Sequence, residues 1–135
     1  MTIQFSTAVR NARLDAIETT ISTSAVLKIR TGAAPANVAT ADSGTVLATL
    51  TLPSDWMAAA SSGSKAKSGT WEDTSADASG TAAHFRVYAS DGTTAHIQGT
   101  VTATGGGGDM TVDNTSFASA QAFTITGFTL TDGNA

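Results

Sequence analysis

Four consecutive glycines, Gly105 to Gly108, run directly into Asp109 in the stretch TATGGGGDMTVDNTS. Glycine loops can cradle phosphate, but a P-loop places a Lys-Ser/Thr pair after its last glycine and opens a helix there. Here Asp109 follows, and DMTVD alternates like a strand. A calcium-binding nonapeptide sets its aspartate one residue further along and works as stacked copies, whereas this chain has a single copy. The run is therefore expected to be a corner between antiparallel strands, tolerant of substitution.

The other residues with chemical potential are few. His84 and His96 are expected to share one face of a hairpin as diagonal neighbours, but zinc takes three or four ligands and Arg86 is expected opposite His96, so no metal site is inferred. Glycosidases need two carboxylates at a set separation. Glu72 and Asp73 are sequence neighbours that point to opposite faces of a strand, and Asp77, Asp91 and Asp132 stand in turn-like contexts. Asp109 and Asp113 could share a face with Asn114 beside them, although Asp-Asn also starts turns. No Gly-x-Ser-x-Gly elbow occurs. Trp56, Trp71 and Tyr88 could form a flat platform for sugar, against the commoner role of large aromatics in packing. No catalytic, cofactor or metal residue emerges, and no cofactor is expected.

The elements that would position these residues follow from periodicity. Thr7 to Ile21 contains neither Gly nor Pro, and Leu14, Ile17 and Ile21 repeat at helical spacing with Arg10 one turn earlier. This predicts one amphipathic helix capped by Ser6, packed on its own sheets or on a neighbouring subunit. After Ile21 the period becomes two. Ala25, Leu27 and Ile29 alternate with Val26, Lys28 and Arg30, and Val46 to Leu52 alternates likewise until Pro53. TGAAPANVATADSG between them is a long loop. A short strand is expected around Trp71, with others at 82–89, 94–102, 109–113 and 121–131.

In FRVYASDGTTAHIQ, a Ser90-Asp91-Gly92 loop pairs Phe85 with Ile97 and Val87 with Ala95, like with like, and leaves Arg86, Tyr88, Thr94 and His96 facing outward. Gly92 is expected in a left-handed bulge. In QAFTITGFTLT, Phe123 and Ile125 have one parity and Phe128 and Leu130 the other, so a bulge at Gly127 is expected to restore a common face. The fold expected is mainly β, an antiparallel, jelly-roll-like β-sandwich with one N-terminal helix: residues 1–22 a helical arm and 23–135 the sandwich.

The chain of 135 residues has no cysteine, which excludes disulfides, zinc–thiolate sites and thiol nucleophiles. Seven basic against eleven acidic residues give a net charge of −4, so a nucleic-acid partner is not expected. No apolar run approaches the about 20 residues of a membrane span, and the start MTIQFSTAVRNAR lacks a signal peptide's apolar core, so no membrane partner is expected. Charged residues make up only 13% of the chain, while Thr, Ser, Ala and Gly crowd it, as suits a β-protein that works in an assembly.

Taken in order, ARLDAIETTI, LKIRTGAAPAN, TVLATLTLPSDW, SGTAAHFRVYASDGTTAHIQGTV and GGGGDMTVDNTSFASAQAFTITGFTLT resemble a family of small structural proteins common in tailed bacteriophages and prophages. The resemblance covers nearly the whole length and rests on ordered wording rather than on catalytic motifs. It implies a virion structural protein without enzymatic activity. The leading expectation is a capsid decoration, or cement, protein on the outer head surface of the virion, with the major capsid protein and further copies of itself as partners. The acidic balance suits that outer surface better than the DNA-filled interior. A tail or baseplate component, or a carbohydrate-binding host-attachment module, is the alternative. Interface energy concentrates in a few aromatic and arginine anchors, so Arg10, Arg30, Trp56 and Tyr88, with Leu14 and Ile17 of the helix, are the candidate contact residues.

Overall fold

The computed structural model describes residues 2–134. Its one helix, α1 (Thr7–Ile21), has the expected bounds. Ser6 stands in extended conformation before it and accepts the Val9 N–H at 3.3 Å, and the helix closes where the Ser22 N–H reaches Glu18 O. Leu14 and Ile21 are buried, and Ile17 packs against the core. The apolar stripe is thus satisfied within the chain's own fold.

A narrow stripe alone would hold such a helix weakly. The polar flank adds a second attachment. Asn11, Asp15 and Glu18 lie three and four residues apart, on one side of the helix, and accept the backbone N–H groups of Gly63, Ala60 and Met57. Lys65, only 2% exposed, sits between helix and sheet with Asp15 at 2.8 Å and Glu18 at 2.9 Å. Burial alone would push this ammonium down, but the two carboxylates outweigh it and raise it above the usual lysine range.

The strands are β1 (Val26–Arg30), β2 (Val46–Thr51), β3 (Ser64–Ala66), β4 (Glu72–Asp73), β5 (Gly80–Thr81), β6 (His84–Tyr88), β7 (Ala95–Ala103), β8 (Met110–Val112), β9 (Ser116–Phe117) and β10 (Phe123–Thr131). The main sheet runs β2-β1-β6-β7-β8-β10-β3, with β4 also on β10, and β5 and β9 form a separate pair. Because β2 comes back against β4, the sheet wraps around its own contents. The architecture is mainly β and sandwich-like, with one N-terminal helix. Leu27, Ile29, Phe85 and Val87 face Met110, Val112, Ile125 and Phe128 across a core filled by Trp56 and Trp71. The Trp71 ring lies 6.1 Å from Trp56 and 5.5 Å from Phe128.

The bulge expected at Gly127 is present. Ile125 pairs with Val112 and Gly127 with Thr111, which leaves Thr126 unpaired in that ladder and returns Phe123, Ile125 and Phe128 to one buried face. A Cβ on Gly127 would lie 2.7 Å from Thr111 Oγ1, so any side chain there would have to displace that hydroxyl.

The hairpin register is corrected. Val87 pairs with Ile97 and Phe85 with Gly99, two residues from the expected partners. One residue of this shift comes from a wider turn, in which Asp91 accepts the N–H groups of Thr93 and Thr94, and the other from a bulge between Val87 and Tyr88 that leaves His96 without a ladder partner. Gly99 takes the Phe85 ring, whose Cε1 would be 2.8 Å from any Cβ there. Room for the ring outweighs matching like with like. Gly92 does adopt the left-handed conformation, with φ +67°.

The glycine run is also corrected. It joins β7 to β8, which are parallel, with Val101 beside Met110, whereas an antiparallel connection was expected. To restart beside the strand it has just left, the chain must double back within a few residues. Gly105 and Gly107 do so with φ of +85° and +79°, while Cβ atoms on Gly106 and Gly108 would each lie 2.8 Å from the Thr102 side chain. The run is a corner, but an exacting one. Substituting both Gly106→Ser and Gly107→Ser is therefore expected to cost about 2–3 kcal/mol, seen as a lower urea midpoint. A midpoint unchanged from the parent's would show that the loop relaxes freely.

Candidate functional site: a cationic sheet face beneath the 31–45 loop

Strand alternation sends Leu27, Ile29, Phe85 and Val87 into the core, so the intervening residues must share the opposite face. The ladder sets Lys28 directly opposite Arg86, Arg30 opposite His84, and Val26 opposite Tyr88. From sequence this face was expected to be solvated, but His84, Arg86 and Tyr88 are at most 1% exposed and Arg30 is 6% exposed. The long loop between β1 and β2 folds down over them. Asn37 holds that loop in shape by accepting from Ala39 N–H, Thr40 N–H and the Thr40 hydroxyl.

Asp42 is the loop's single charged residue and the centre of the arrangement. Its Oδ2 accepts from Arg30 Nη2 at 2.6 Å, and its Oδ1 accepts from the Tyr88 hydroxyl at 2.8 Å and from Arg86 Nη1. Arg86 Nη2 donates to Val38 O at 2.6 Å, and Arg30 Nη1 lies 3.4 Å from Gly44 O. His84 Nδ1 is 2.8 Å from Gly32 O, and Gln98 Nε2 donates to Pro35 O at 2.8 Å.

Partial burial would raise the Asp42 carboxyl, but hydrogen bonds from Tyr88 and Arg86 and the charges of Arg30 and Arg86 outweigh it and hold it below the usual range. The same burial, reinforced by the Asp42 charge, pushes the Tyr88 phenol up. Three buried nitrogens on this face, Arg30 Nε, Arg86 Nε and His84 Nε2, have no hydrogen-bond partner. Beside the cluster lies an open groove of about 490 Å³, walled by Lys28, Arg86, the Val38–Asp42 segment and the Gly92–Ala95 turn.

The remaining sequence candidates do not assemble into a centre. His84 and His96 are not neighbours on one face: His84 is buried under Gly32, whereas His96 is exposed beside Arg13 and Ile17 of α1. Gln98, not His96, stands opposite Arg86. Asp109 accepts the Thr100 N–H and hydroxyl, both at 2.8 Å, and these bonds lower its carboxyl. Asp113 and Asn114 accept the N–H groups of Thr124 and Ser116. Among the described residues, no group of three or more His, Cys, Asp or Glu could hold a metal ion. No helix of the described chain is long and apolar enough to cross a membrane.

The candidate contact residues are mostly internal. Leu14, Trp56, Tyr88 and Arg30 are buried, and Trp56 Nε1 donates to Ser22 O at 3.2 Å. Arg10 lies half-buried against Gly63 and donates to Asp132 O, and Ile17 is half-buried. Among the described residues, the large apolar side chains that remain exposed are instead Ile3, Phe5 and Val9, at 77%, 42% and 43%. Phe5 is not loose: its N–H and C=O bond the Asn134 side chain at 2.9 and 3.0 Å, and the Arg13 guanidinium lies 5.1 Å from its ring. Sequence reasoning missed both Asp42 and this edge. The signal for Asp42 was a lone acid in a long loop that follows a strand bearing Lys28 and Arg30.

No family model, curated protein or solved structure matches the chain.

Proposed function

We propose that the chain is a non-enzymatic structural protein of a tailed-phage particle, acting as a decoration protein on the outer surface of the assembled head. The observation that carries this reading is the exposure of three large apolar side chains close together in sequence, Ile3, Phe5 and Val9, with the Phe5 backbone bonded to the Asn134 side chain. Large apolar side chains left uncovered, one of them on a backbone fixed to the far end of the chain, suit a protein that completes its packing on a partner. The resemblance to small phage structural proteins points to the major capsid protein as that partner. The charged side chains support the same reading, since Asp15, Asp42, Lys65 and Asp109 are each engaged in holding backbone or neighbouring charges. The net charge of −4 fits the exterior of a shell whose interior holds DNA.

The sugar-module alternative loses its aromatic platform, because Trp56, Trp71 and Tyr88 are each at most 1% exposed. The tail alternative is separated from decoration by experiment. Heads assembled without the protein are expected to bind it saturably and to resist heat better, by an amount that grows with its free concentration. Phe5→Ala together with Ile3→Ser should weaken that binding by about 2 kcal/mol while leaving the melting curve of the free protein near the parent's. Heads that neither bind nor gain stability, beside tails that do take the protein up, would move the assignment to the tail.

A further inference from the structure

Like charges directly opposite in a ladder are destabilising, yet Lys28 and Arg86 face one another across β1 and β6, with Arg30 diagonal to Arg86. Against these three cations the face supplies one carboxylate, Asp42, whose two oxygens are already taken by Arg30, Arg86 and Tyr88. The nearby Asp91 stays ionised, but its bonds go to its own turn, so Asp42 is the one carboxylate that contacts these cations, and positive charge is in excess on this face in a chain whose net charge is −4. Lys28 donates to Gly92 O at 2.9 Å and rests over the Tyr88 ring, which leaves further ammonium donors for another acceptor. Arg86, 1% exposed with its Nε unpartnered, lines the same groove.

Proteins break local rules where a site needs it, and a facing Lys28–Arg86 pair of which only Arg86 meets a carboxylate, beside an open groove, is such a break. We propose that the groove between the Val38–Asp42 segment and the Gly92–Ala95 turn is a binding site for a small oxyanion, a carboxylate or phosphate group, received by Lys28 and Arg86. Asp42 is the positioning residue. It spreads Arg30 and Arg86 in fixed orientations and neutralises one charge, so that the remaining field points into the groove rather than driving the strands apart. This site is independent of the assignment to a phage head, since free anion and partner side chain carry the same chemistry.

The test is a nuclear magnetic resonance titration of the full chain with sodium acetate, with inorganic phosphate and with a glutamate-rich peptide, each against sodium chloride at matched ionic strength. Saturable shifts confined to Lys28, Val38–Asp42 and Gly92–Ala95 are expected with at least one oxyanion and not with chloride. A peptide bound about tenfold or more tighter than acetate would name an acidic side chain of a protein as the source, and equal or weaker binding would name a free anion. Lys28→Met keeps the stem over Tyr88 and is expected to weaken binding about tenfold or more with the spectrum otherwise folded. Shifts that fail to saturate or that match chloride would overturn the site, as would a Lys28→Met protein that binds like the parent. The wild-type titration decides the matter even if the variant folds poorly.

Discussion

Asp42→Ala is expected to lower stability by about 3 kcal/mol, one of the two largest losses from a single substitution in this chain, although Asp42 stands on a loop and is partly exposed. Removing it leaves the Arg30 and Arg86 guanidiniums, with side chains 8% and 2% exposed, beside Lys28 and without a carboxylate. An uncompensated buried charge costs more than the lost hydrogen bonds, and removing one partner of a buried pair ordinarily costs about 3–5 kcal/mol. The lower end applies because the carboxylate is 35% exposed and water can partly replace it. Urea unfolding at neutral pH measures the loss. A change of under about 1 kcal/mol would mean that the loop carbonyls suffice to hold both arginines.

The same carboxylate predicts an acid response. The folded-state pKa of Asp42 is depressed, as are those of Asp15 and Asp109, so their stabilisation is complete above the ordinary carboxylate value of about 3.9. It is lost as the pH falls through the lower folded-state values. Stability should thus decline below about pH 4, and Asp42→Ala should flatten that decline because one of the depressed groups is gone. A parallel acid limb in parent and variant would contradict the depressed Asp42.

Trp56→Ala is expected to cost about 3–5 kcal/mol of folding stability. The ring is wholly buried, lies against Trp71, and ties the end of α1 to the segment between β2 and β3 through its Nε1 bond to Ser22 O. Its removal opens a cavity and leaves the Ser22 carbonyl without that donor. A surface anchor would behave differently, with binding lost and the melting curve kept. Denaturation of the free protein separates the two: an unchanged midpoint would show that the residue belongs to an interface after all.

Local rules made a large part of the fold legible. The helix from Thr7 to Ile21 could be read because its apolar spacing, its serine cap and its freedom from Gly and Pro all act within a turn or two of chain. The Gly127 bulge was readable from a parity slip, and the Gly92 conformation from turn chemistry. Register was not. It depended on the Phe85 ring meeting Gly99, on Asp91 widening a turn and on a bulge at His96, none of which alternation encodes.

The candidate site divides in the same way. By itself the sequence determined which residues share a face, because alternation puts Lys28 and Arg30 opposite to Leu27 and Ile29, and Arg86 and Tyr88 opposite to Phe85 and Val87. Only the tertiary structure decided whether that face meets water, since a loop of polar and small residues carries no periodic signal for what it covers. The fold brings Asp42 over residues 44 and 46 positions away in the chain, and places Gly105 to Gly108 between parallel rather than antiparallel strands. Burial, charge pairing and strand direction depend on contacts between distant segments, and those exist only once the chain has closed around its core.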